Sequence, residues 1–287
     1  MDARNDLIVA AVKDYSWEAL KCFSVSLSRS GFRGKKLLFT HNIDSRAKGQ
    51  LTNLGFTILD FTPEDAGLGG FPSARYAPLY RYLSDNPDIF RYVIWVDAGD
   101  LVFQSDPSVW LENNIGDKQL IVCSEGVKLK NEPTNLMWTT DASNGLYVSS
   151  PEDEQLCSGT IAGTARAMTL LTQAIFLKSS KINEWRYGNG GFGSDQGMLN
   201  YLSSTVPFKE ITKVVKADEA FALQANWFIL RPYYAAGLHT STDPVFDTIN
   251  GLAYTVDDKL YSIVHQYNRD GSSWMGNFKA AVEGRYQ

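Results

Sequence analysis

The sequence predicts an α/β protein built on a mixed, mostly parallel sheet flanked by helices. Strand-like and helix-like segments alternate through the first hundred residues, as they do in sheets built with crossover helices. One apolar run, Tyr92 to Val96, ends abruptly in two carboxylates, Asp97 and Asp100. Ligands of open α/β sheets bind beyond the carboxyl ends of such strands. The alternation of elements therefore predicts the fold class, and the two carboxylates predict the edge of the sheet at which a site should lie.

Short runs of aliphatic, β-branched and aromatic residues mark the strands, and capping residues before apolar residues at helical spacing mark the helices. The predicted strands are Leu7–Val12, Lys36–Thr40, Phe56–Leu59, Arg91–Val96, Gln119–Cys123 and Cys157–Gly163. The predicted helices are 16–27, 44–54, 73–83 with a break at Pro78, 164–177, and a short one capped by Ser194 after a flexible Gly188–Gly193 segment. Residues 124–156 are predicted to form a long loop or a small excursion, and scattered strands and loops follow residue 205.

Composition excludes several classes of protein. The chain has 287 residues and a net charge of -5, which argues against a nucleic-acid binder, because such proteins depend on basic surface. Its three cysteines have neither disulfide-framework nor zinc-site spacing. There is neither a signal-peptide pattern nor an apolar run of about 18 residues. We expect a soluble cytoplasmic protein with no transmembrane segment.

The carboxylates after the Arg91–Val96 strand predict a metal site. Two acids at the end of a buried strand are costly unless something pairs them, and hard divalent cations take carboxylate oxygens. The alternative is that Asp97 and Asp100 only shape the turn into the next element, since Asp is an ordinary turn residue.

Four features stand in order along the chain: the Asp97-Ala-Gly-Asp100 turn, the Cys157–Gly163 strand, the Asp195-Gln196 pair, and a late strand ending in His265. Together they resemble a nucleotide-sugar glycosyltransferase of the GT-A fold, in particular the retaining group that includes glycogenin and bacterial lipooligosaccharide α-galactosyltransferases. The resemblance covers residues 7–270 and consists of order and spacing.

The resemblance implies that Asp97, Asp100 and His265 hold Mn²⁺ or Mg²⁺ on the donor diphosphate. Asp97 matches the first residue of the family's Asp-x-Asp motif, but the second falls on Gly99. Either Asp100 replaces it across a wider turn, or ligation is weaker and partly water-mediated. The alternative for His265 is a hydrogen-bonded histidine in a partly buried strand.

The resemblance also implies donor-binding residues. The end of the first strand, Ala10, Ala11 and Val12, faces the nucleobase, with Tyr15 stacking on a uracil ring. Ser158 and Gly159 lie beside the donor sugar, where the alternative is a strand glycine at a bulge. A donor-contacting arginine is assigned to Arg75, with Arg81 as the competitor, and a phosphate contact to Arg269.

Asp195 and Gln196 match the pair that lies under the anomeric carbon, and they are the predicted catalytic residues. The alternative is a helix N-terminus at which Asp favours the dipole. The match to the retaining group favours retention, but Asp195 could also act as the base of an inverting reaction.

The sequence therefore predicts a metal-dependent glycosyltransferase that moves a sugar from a UDP-sugar to a glycan or another hydroxyl acceptor. It predicts one domain, 1–287, with a nucleotide-binding half at 7–123 and an acceptor-side half at 124–287. One alternative is a nucleotidyltransferase, although the Lys13–Trp17 segment lacks the glycines of such enzymes. Another is a catalytically inactive nucleotide- or sugar-binding protein.

Overall fold

The computed structural model describes residues 2–63, 70–182, 191–225, 232–269 and 273–286. Its strands are β1 Leu7–Lys13, β2 Lys35–His41, β3 Phe56–Asp60, β4 Tyr92–Val96, β5 Leu101–Phe103, β6 Leu120–Lys128, β7 Glu154–Thr164, β8 Thr212–Val215, β9 Ala222–Gln224, β10 Val245–Asp247, β11 Leu252–Tyr254 and β12 Ile263–His265. Its helices are α1 Trp17–Arg29, α2 Ser45–Asn53, α3 Gly70–Ala74, α4 Tyr76–Asp85, α5 Pro107–Asn114, α6 Pro133–Ala142, α7 Ala165–Ser179, α8 Ser194–Ser203, α9 Phe208–Ile211 and α10 Ser273–Arg285. None of these helices has both the length and the apolar character needed to cross a bilayer.

The main sheet confirms the predicted α/β architecture. Its strand order is β3-β2-β1-β4-β7-β6-β8, and β7 is antiparallel to both of its neighbours while the other pairs are parallel. Leu7 and Val9 of β1 pack in a core with α4, α7 and α8, whereas Ile8 and Ala10 pack in a core with α1, α2 and α5. A strand covered on both faces is apolar throughout, which is why β1 shows no alternation.

Three helices begin within one residue of their predicted starts, and Ser16 is the N-cap that the sequence predicts. The side chains of Ser16, Asp44 and Thr164 each accept a hydrogen bond from the backbone N–H three residues later. Gly55, with a φ of 80°, follows the last turn of α2. Local sequence therefore determined where α1, α2 and α7 begin.

The predicted helix at 73–83 is two helices, and the break lies at Arg75 rather than at Pro78. Pro78 has no N–H for the carbonyl of Ala74, four residues earlier, and its ring crowds that carbonyl. The helical hydrogen bond from residue 78 to residue 74 is therefore missing, and the helix is interrupted three residues before the proline, at Arg75. The interruption leaves Arg75 at the joint between α3 and α4, from which its side chain reaches Asp97.

The prediction of a long loop at 124–156 is wrong. Strand β6 runs on into this region, and α6 occupies much of its middle. Ser124 is buried in β6 because its hydroxyl donates to Glu154 at 2.9 Å. Pro133 at the first helical position, with the Glu132 carboxylate accepting from two backbone N–H groups, starts α6.

The start of α8 also differs from the prediction. Gly193, with a φ of 78°, is the N-cap residue, and Ser194 is the first helical residue. The Ser194 hydroxyl lies 2.7 Å from that of Ser73 and so joins α8 to α3. The flexible segment predicted at Gly188–Gly193 lies mostly outside the described residues.

The sequence analysis missed helix α10. Its residues Met275, Phe278 and Val282 are fully buried in a core cluster with residues of the β5-β12-β9 sheet, such as Val264. Apolar residues at this spacing lie on one face of a helix, so the signal was present in the sequence. This second sheet carries His265 at the end of its central strand.

An ion pair joins the starts of β1 and β4. Asp6 is fully buried and accepts hydrogen bonds from Arg91 at 2.9 and 2.8 Å and from the Tyr92 N–H at 3.2 Å. The two strands are parallel neighbours, with Leu7 paired to Val93. The pair therefore helps to set the register that brings the carboxyl ends of β1 and β4 side by side.

Candidate active site

Three potential metal ligands meet where the two sheets join. Asp97 and Asp100 lie in the turn between β4 and β5, and His265 ends β12, where it pairs with Leu101 of β5. One side-chain atom from each of the three lies within 4.8 Å of the other two. The structure thus brings together the three residues predicted as ligands, and Asp100 belongs to the group although the family pattern has its second acid at position 99.

In each carboxylate one oxygen accepts a hydrogen bond from an arginine, and the other oxygen lies near His265. Asp97 Oδ1 accepts from Arg75 Nη1 at 2.5 Å, and Asp100 Oδ2 accepts from Arg269 Nε at 2.6 Å. The remaining oxygens, Asp97 Oδ2 and Asp100 Oδ1, lie 3.4 and 3.3 Å from His265 Nε2. Two carboxylate oxygens and one imidazole nitrogen therefore face a common point, and this donor set suits Mn²⁺ or Mg²⁺.

The imidazole of His265 is held from its opposite side. His265 is 1% exposed, and its Nδ1 lies 2.7 Å from Oε1 of Gln224. Among the residues that the structure describes, its buried Nε2 has no hydrogen-bond partner, although Asp97 Oδ2 and Asp100 Oδ1 lie 3.4 and 3.3 Å away. Unpaired buried polar atoms are rare and each needs an explanation. A cation between Nε2 and the carboxylates would satisfy all three groups.

Charge within the cluster shifts the pKa values of its members. Burial alone would raise the pKa of Asp97, but the Arg75 guanidinium and the His265 imidazole outweigh it and hold that pKa well below its usual range. The His265 imidazole likewise outweighs burial and lowers the pKa of Asp100. Burial disfavours the charged imidazole, yet the Asp100 carboxylate raises the pKa of His265 well above its usual value. Both carboxylates are therefore ionised at neutral pH.

Gly159 leaves the space in front of the ligand atoms open. A Cβ on this residue would lie 2.7 Å from Asp97 Oδ2 and 2.8 Å from His265 Nε2. The Gly159 carbonyl also accepts from the Asp97 N–H at 3.0 Å, so β7 contacts the turn directly. Any side chain at this position would fill the point on which the ligand atoms converge.

A cavity of about 260 Å³ opens beside the cluster, at the carboxyl ends of β1 and β4. Its walls include Ala11, Val12, Tyr15 and Arg269. Of the residues predicted to face a nucleobase, Ala10 alone is not part of the wall, because its side chain is fully buried in the core beneath the strand.

Arg75 links the cluster to α8. Its Nη2 donates to Asp195 Oδ2 at 2.6 Å, while its Nη1 donates to Asp97. Asp195 is 4% exposed, and its other oxygen accepts from the Gln196 N–H at 2.8 Å. The competing residue, Arg81, is exposed on α4. One guanidinium therefore orients both a candidate metal ligand and a candidate catalytic carboxylate.

A chain of hydrogen bonds orients the amide of Gln196. Its Nε2 donates to Asn135 Oδ1 at 2.7 Å, and Asn135 Nδ2 donates to Glu132 Oε2 at 2.9 Å. The same Glu132 oxygen also accepts from the Asn135 backbone N–H at 2.6 Å, so Glu132 fixes the Asn135 amide, which in turn fixes that of Gln196. The Gln196 Oε1 atom consequently faces the Ser158 N–H, at 3.5 Å. Sequence analysis missed Glu132 and Asn135, which lie in the region predicted to be a loop.

The fold matches that of known glycosyltransferases. The galactosyltransferase LgtC, in complex with donor and acceptor sugar analogs, matches with a TM-score of 0.57 and 15% identity over 98% of this chain and 96% of that chain. An active-site mutant of LgtC gives a TM-score of 0.56 and 15% identity over 97% and 95% of the two chains. The glycosyltransferase GlyE of Streptococcus pneumoniae gives a TM-score of 0.55 and 15% identity over 96% of this chain but 59% of that chain. No protein-family model matches the chain, and no curated protein sequence is significantly similar to it. The likeness confirms the predicted GT-A-like fold.

Proposed function

We propose that the protein is a metal-dependent glycosyltransferase that moves a sugar from a nucleoside diphosphate sugar, a UDP-sugar, to a hydroxyl of a glycan or another acceptor. One observation carries the proposal: Asp97 Oδ2, Asp100 Oδ1 and His265 Nε2 converge on one point beside a cavity. That point lies at the carboxyl ends of β1 and β4, the edge at which α/β sheets bind ligands. The fold shared with LgtC and GlyE supports this class of reaction.

In this proposal Asp97, Asp100 and His265 hold Mn²⁺ or Mg²⁺. Such an ion, when bound, neutralises the charge that develops on the leaving nucleoside diphosphate. Arg269 donates to Asp100 through Nε alone among the described contacts, and its side chain is 44% exposed at the cavity wall. Its remaining guanidinium N–H groups are available for a phosphate oxygen.

The cavity wall formed by β1 receives the nucleobase in this proposal. Ala11 and Val12 offer small apolar surface there, and Tyr15 offers a ring that is 38% exposed. Ser158 and Gly159 lie between this cavity and Gln196, where the donor sugar would lie beside the β7 backbone.

We also propose that the reaction retains the configuration of the anomeric carbon. An inverting reaction needs a carboxylate that is free to accept the proton of the acceptor hydroxyl. Asp195, the carboxylate next to Gln196, instead pairs with Arg75 at 2.6 Å. Proton NMR of the first product formed tests this proposal, and a product of inverted configuration would overturn it.

A thermal-shift screen tests the donor site. Nucleoside diphosphates and their sugars are added with and without Mn²⁺, because a ligand that binds the folded state raises the Tm. We expect a Mn²⁺-dependent rise with UDP or UDP-sugars that is lost in Asp97→Ala and His265→Ala. The matched controls Asp85→Ala and His239→Ala change exposed residues and should keep the shift. No shift with any nucleotide would overturn the proposal.

Turnover separates an enzyme from a protein that only binds a nucleotide sugar. A transferase that holds a metal on the donor diphosphate also transfers the sugar slowly to water, whereas a binding protein does not. We expect slow donor hydrolysis by the wild type that Asp97→Ala and His265→Ala abolish. A Mn²⁺-dependent thermal shift without any donor consumption would support the donor-binding site but would overturn the proposed catalytic function.

A further inference from the structure

Gln224 contacts the candidate metal centre although no sequence motif indicates it. It ends β9 and pairs in register with His265 of β12. Gln224 is 7% exposed, with Oε1 2.7 Å from His265 Nδ1 and Nε2 2.7 Å from Thr160 Oγ1. Thr160 is fully buried on β7. The three side chains thus form a hydrogen-bonded chain that crosses from the main sheet to the second sheet.

The direction of these hydrogen bonds determines which nitrogen of His265 keeps its proton when the imidazole is neutral, as it must be to bind a metal. The Gln224 amide nitrogen donates to Thr160, so its carbonyl oxygen is left for the imidazole. A carbonyl oxygen only accepts, and Nδ1 must therefore be the protonated nitrogen. The other neighbour of Nδ1, the Cys157 Sγ at 3.5 Å, is a weak partner that can donate or accept and so does not select a tautomer.

We infer that Gln224 is a positioning residue for the metal centre: its amide oxygen keeps the proton on Nδ1 of His265 and so aims the Nε2 lone pair at the point shared with Asp97 and Asp100. This inference rests on the proposed function, because it assumes that a metal binds at that point. Histidine ligands usually donate their other ring N–H to an acceptor, which fixes the ring and its tautomer. Loss of such an acceptor lowers metal affinity by about 10- to 100-fold.

Metal affinity provides the first test. Mn²⁺ alone is titrated into each protein, and the free ion is measured by electron paramagnetic resonance. We expect Gln224→Leu, which removes the acceptor at similar volume, to weaken binding by about 10- to 100-fold. Gln224→Glu keeps an acceptor for Nδ1 and should restore affinity to within a few-fold of the wild type. Thr160→Val removes the partner that orients the Gln224 amide and should weaken binding as well.

A matched control separates positioning from stability. Gln104 follows β5 in the same sheet, and its amide bonds backbone groups of Ala253 and Tyr261 rather than a candidate ligand. Gln104→Leu should lower the Tm and leave Mn²⁺ affinity unchanged. If Gln104→Leu weakens Mn²⁺ binding as much as Gln224→Leu does, the effect is structural and the inference is overturned.

The tautomer provides a second readout that does not depend on activity. The chain has only three histidines, so long-range ¹H–¹⁵N spectra can be assigned with His41→Gln and His239→Gln variants. Without metal, and at a pH above the pKa of His265 where its imidazole is neutral, the wild type should show His265 protonated on Nδ1. Gln224→Leu should show mixed tautomers, and Gln224→Glu should show the wild-type pattern. A merely structural role would change the Tm without changing these signals.

The outcomes distinguish this inference from the proposed function. Absence of Mn²⁺ binding by the wild type would overturn the proposed metal site, and the inference with it. Mn²⁺ binding by the wild type with equal affinity and the same tautomer in Gln224→Leu would overturn the inference alone. If Gln224→Leu does not fold, Thr160→Val decides: wild-type affinity and tautomer in that variant would overturn the inference.

Discussion

The ring of Tyr15 lies directly against Gly99, in the turn that carries both candidate metal-binding carboxylates. A Cβ on residue 99 would lie 2.8 Å from Tyr15 Cε2 and 2.9 Å from its hydroxyl oxygen. Position 99 is where the family's second aspartate falls, so no aspartate fits there while Tyr15 keeps its place. The second acid stands one residue later, where Asp100 Oδ1 lies 3.3 Å from His265 Nε2. The ring of Tyr15 therefore occupies the space beside position 99, and the second acid of the turn stands at position 100 instead.

We expect Gly99→Asp to destabilise the protein by about 1 kcal/mol, because the ring of Tyr15, which is 38% exposed, must shift to make room. The same change should cost less in a Tyr15→Ala background, which removes the obstructing ring. Urea denaturation of the wild type, both single variants and the double variant gives the coupling free energy. Strictly additive losses would mean that Tyr15 is not what excludes a side chain at position 99.

The end of the Arg91–Val96 strand predicted Asp97 and Asp100 as candidate ligands, and the resemblance added His265. Whether Asp100 replaces the acid missing at position 99 was left open. Spacing along the chain does not determine which side chain of a turn points toward a distant strand. In this structure the ring of Tyr15 packs on Gly99, and the β5–β12 pairing brings His265 to Asp100. That pairing joins residues far apart in the chain, which a single sequence does not reveal.

The sequence did not predict roles for Gln224 and Asn135, because each contacts its partner across a large separation in the chain. Register between β9 and β12 brings Gln224 to His265, and contact between α6 and α8 brings Asn135 to Gln196. Of the fold, the parallel strands and capped helices were predicted because their signals are local. The strand extension at Ser124 was not, because its buried hydroxyl depends on a partner thirty residues away and hydrophobic periodicity does not detect such a partner.

Affinity for Mn²⁺ should rise with pH. Burial opposes the charged imidazole of His265, but the Asp100 and Asp97 carboxylates raise its pKa well above the usual value, so a proton competes with the metal for Nε2 at neutral pH. Raising the pH removes this competitor. In the metal-free protein the sign is opposite: the stability that a raised pKa contributes is fully present at low pH and is lost as pH rises through the folded-state pKa.

Two measurements across the neutral and alkaline range test this pH dependence. Mn²⁺ titrations followed by electron paramagnetic resonance should give tighter binding at higher pH, and urea denaturation without metal should give lower stability. The matched variant His265→Gln lacks the titrating group and should flatten both trends. Mn²⁺ affinity that does not change with pH in the wild type would contradict the assignment of His265 as a ligand.

The Asp6–Arg91 pair should contribute strongly to stability. Arg91→Met leaves the fully buried Asp6 carboxylate without its guanidinium, and we expect a loss of about 3–5 kcal/mol in the free energy of unfolding. As a control, Arg46→Met breaks an ion pair with Glu18 whose side chains are both largely exposed, and the urea midpoint should not change. A loss in Arg91→Met no larger than in this control would show that other contacts set the register of β1 and β4.

Asn135 should affect catalysis through Gln196. Asn135→Leu removes the oxygen that accepts from Gln196 Nε2, so the Gln196 amide is free to turn and its carbonyl oxygen no longer has a fixed direction. Misplacing a group by about 1 Å can cost about 100-fold, so we expect a fall in kcat of that order. The KM for the donor should change little, because the residues proposed to hold the diphosphate are untouched.

Steady-state assays with the donor found by the thermal-shift screen measure both constants for Asn135→Leu. Asn113→Leu is the matched control, since Asn113 is exposed on α5 and bonds only the Val109 carbonyl of its own helix among the described contacts. Asn135→Asp keeps an oxygen for Gln196 Nε2 and should retain more activity than Asn135→Leu. Wild-type kcat in Asn135→Leu would mean that Gln196 either acts without a fixed amide orientation or is not catalytic.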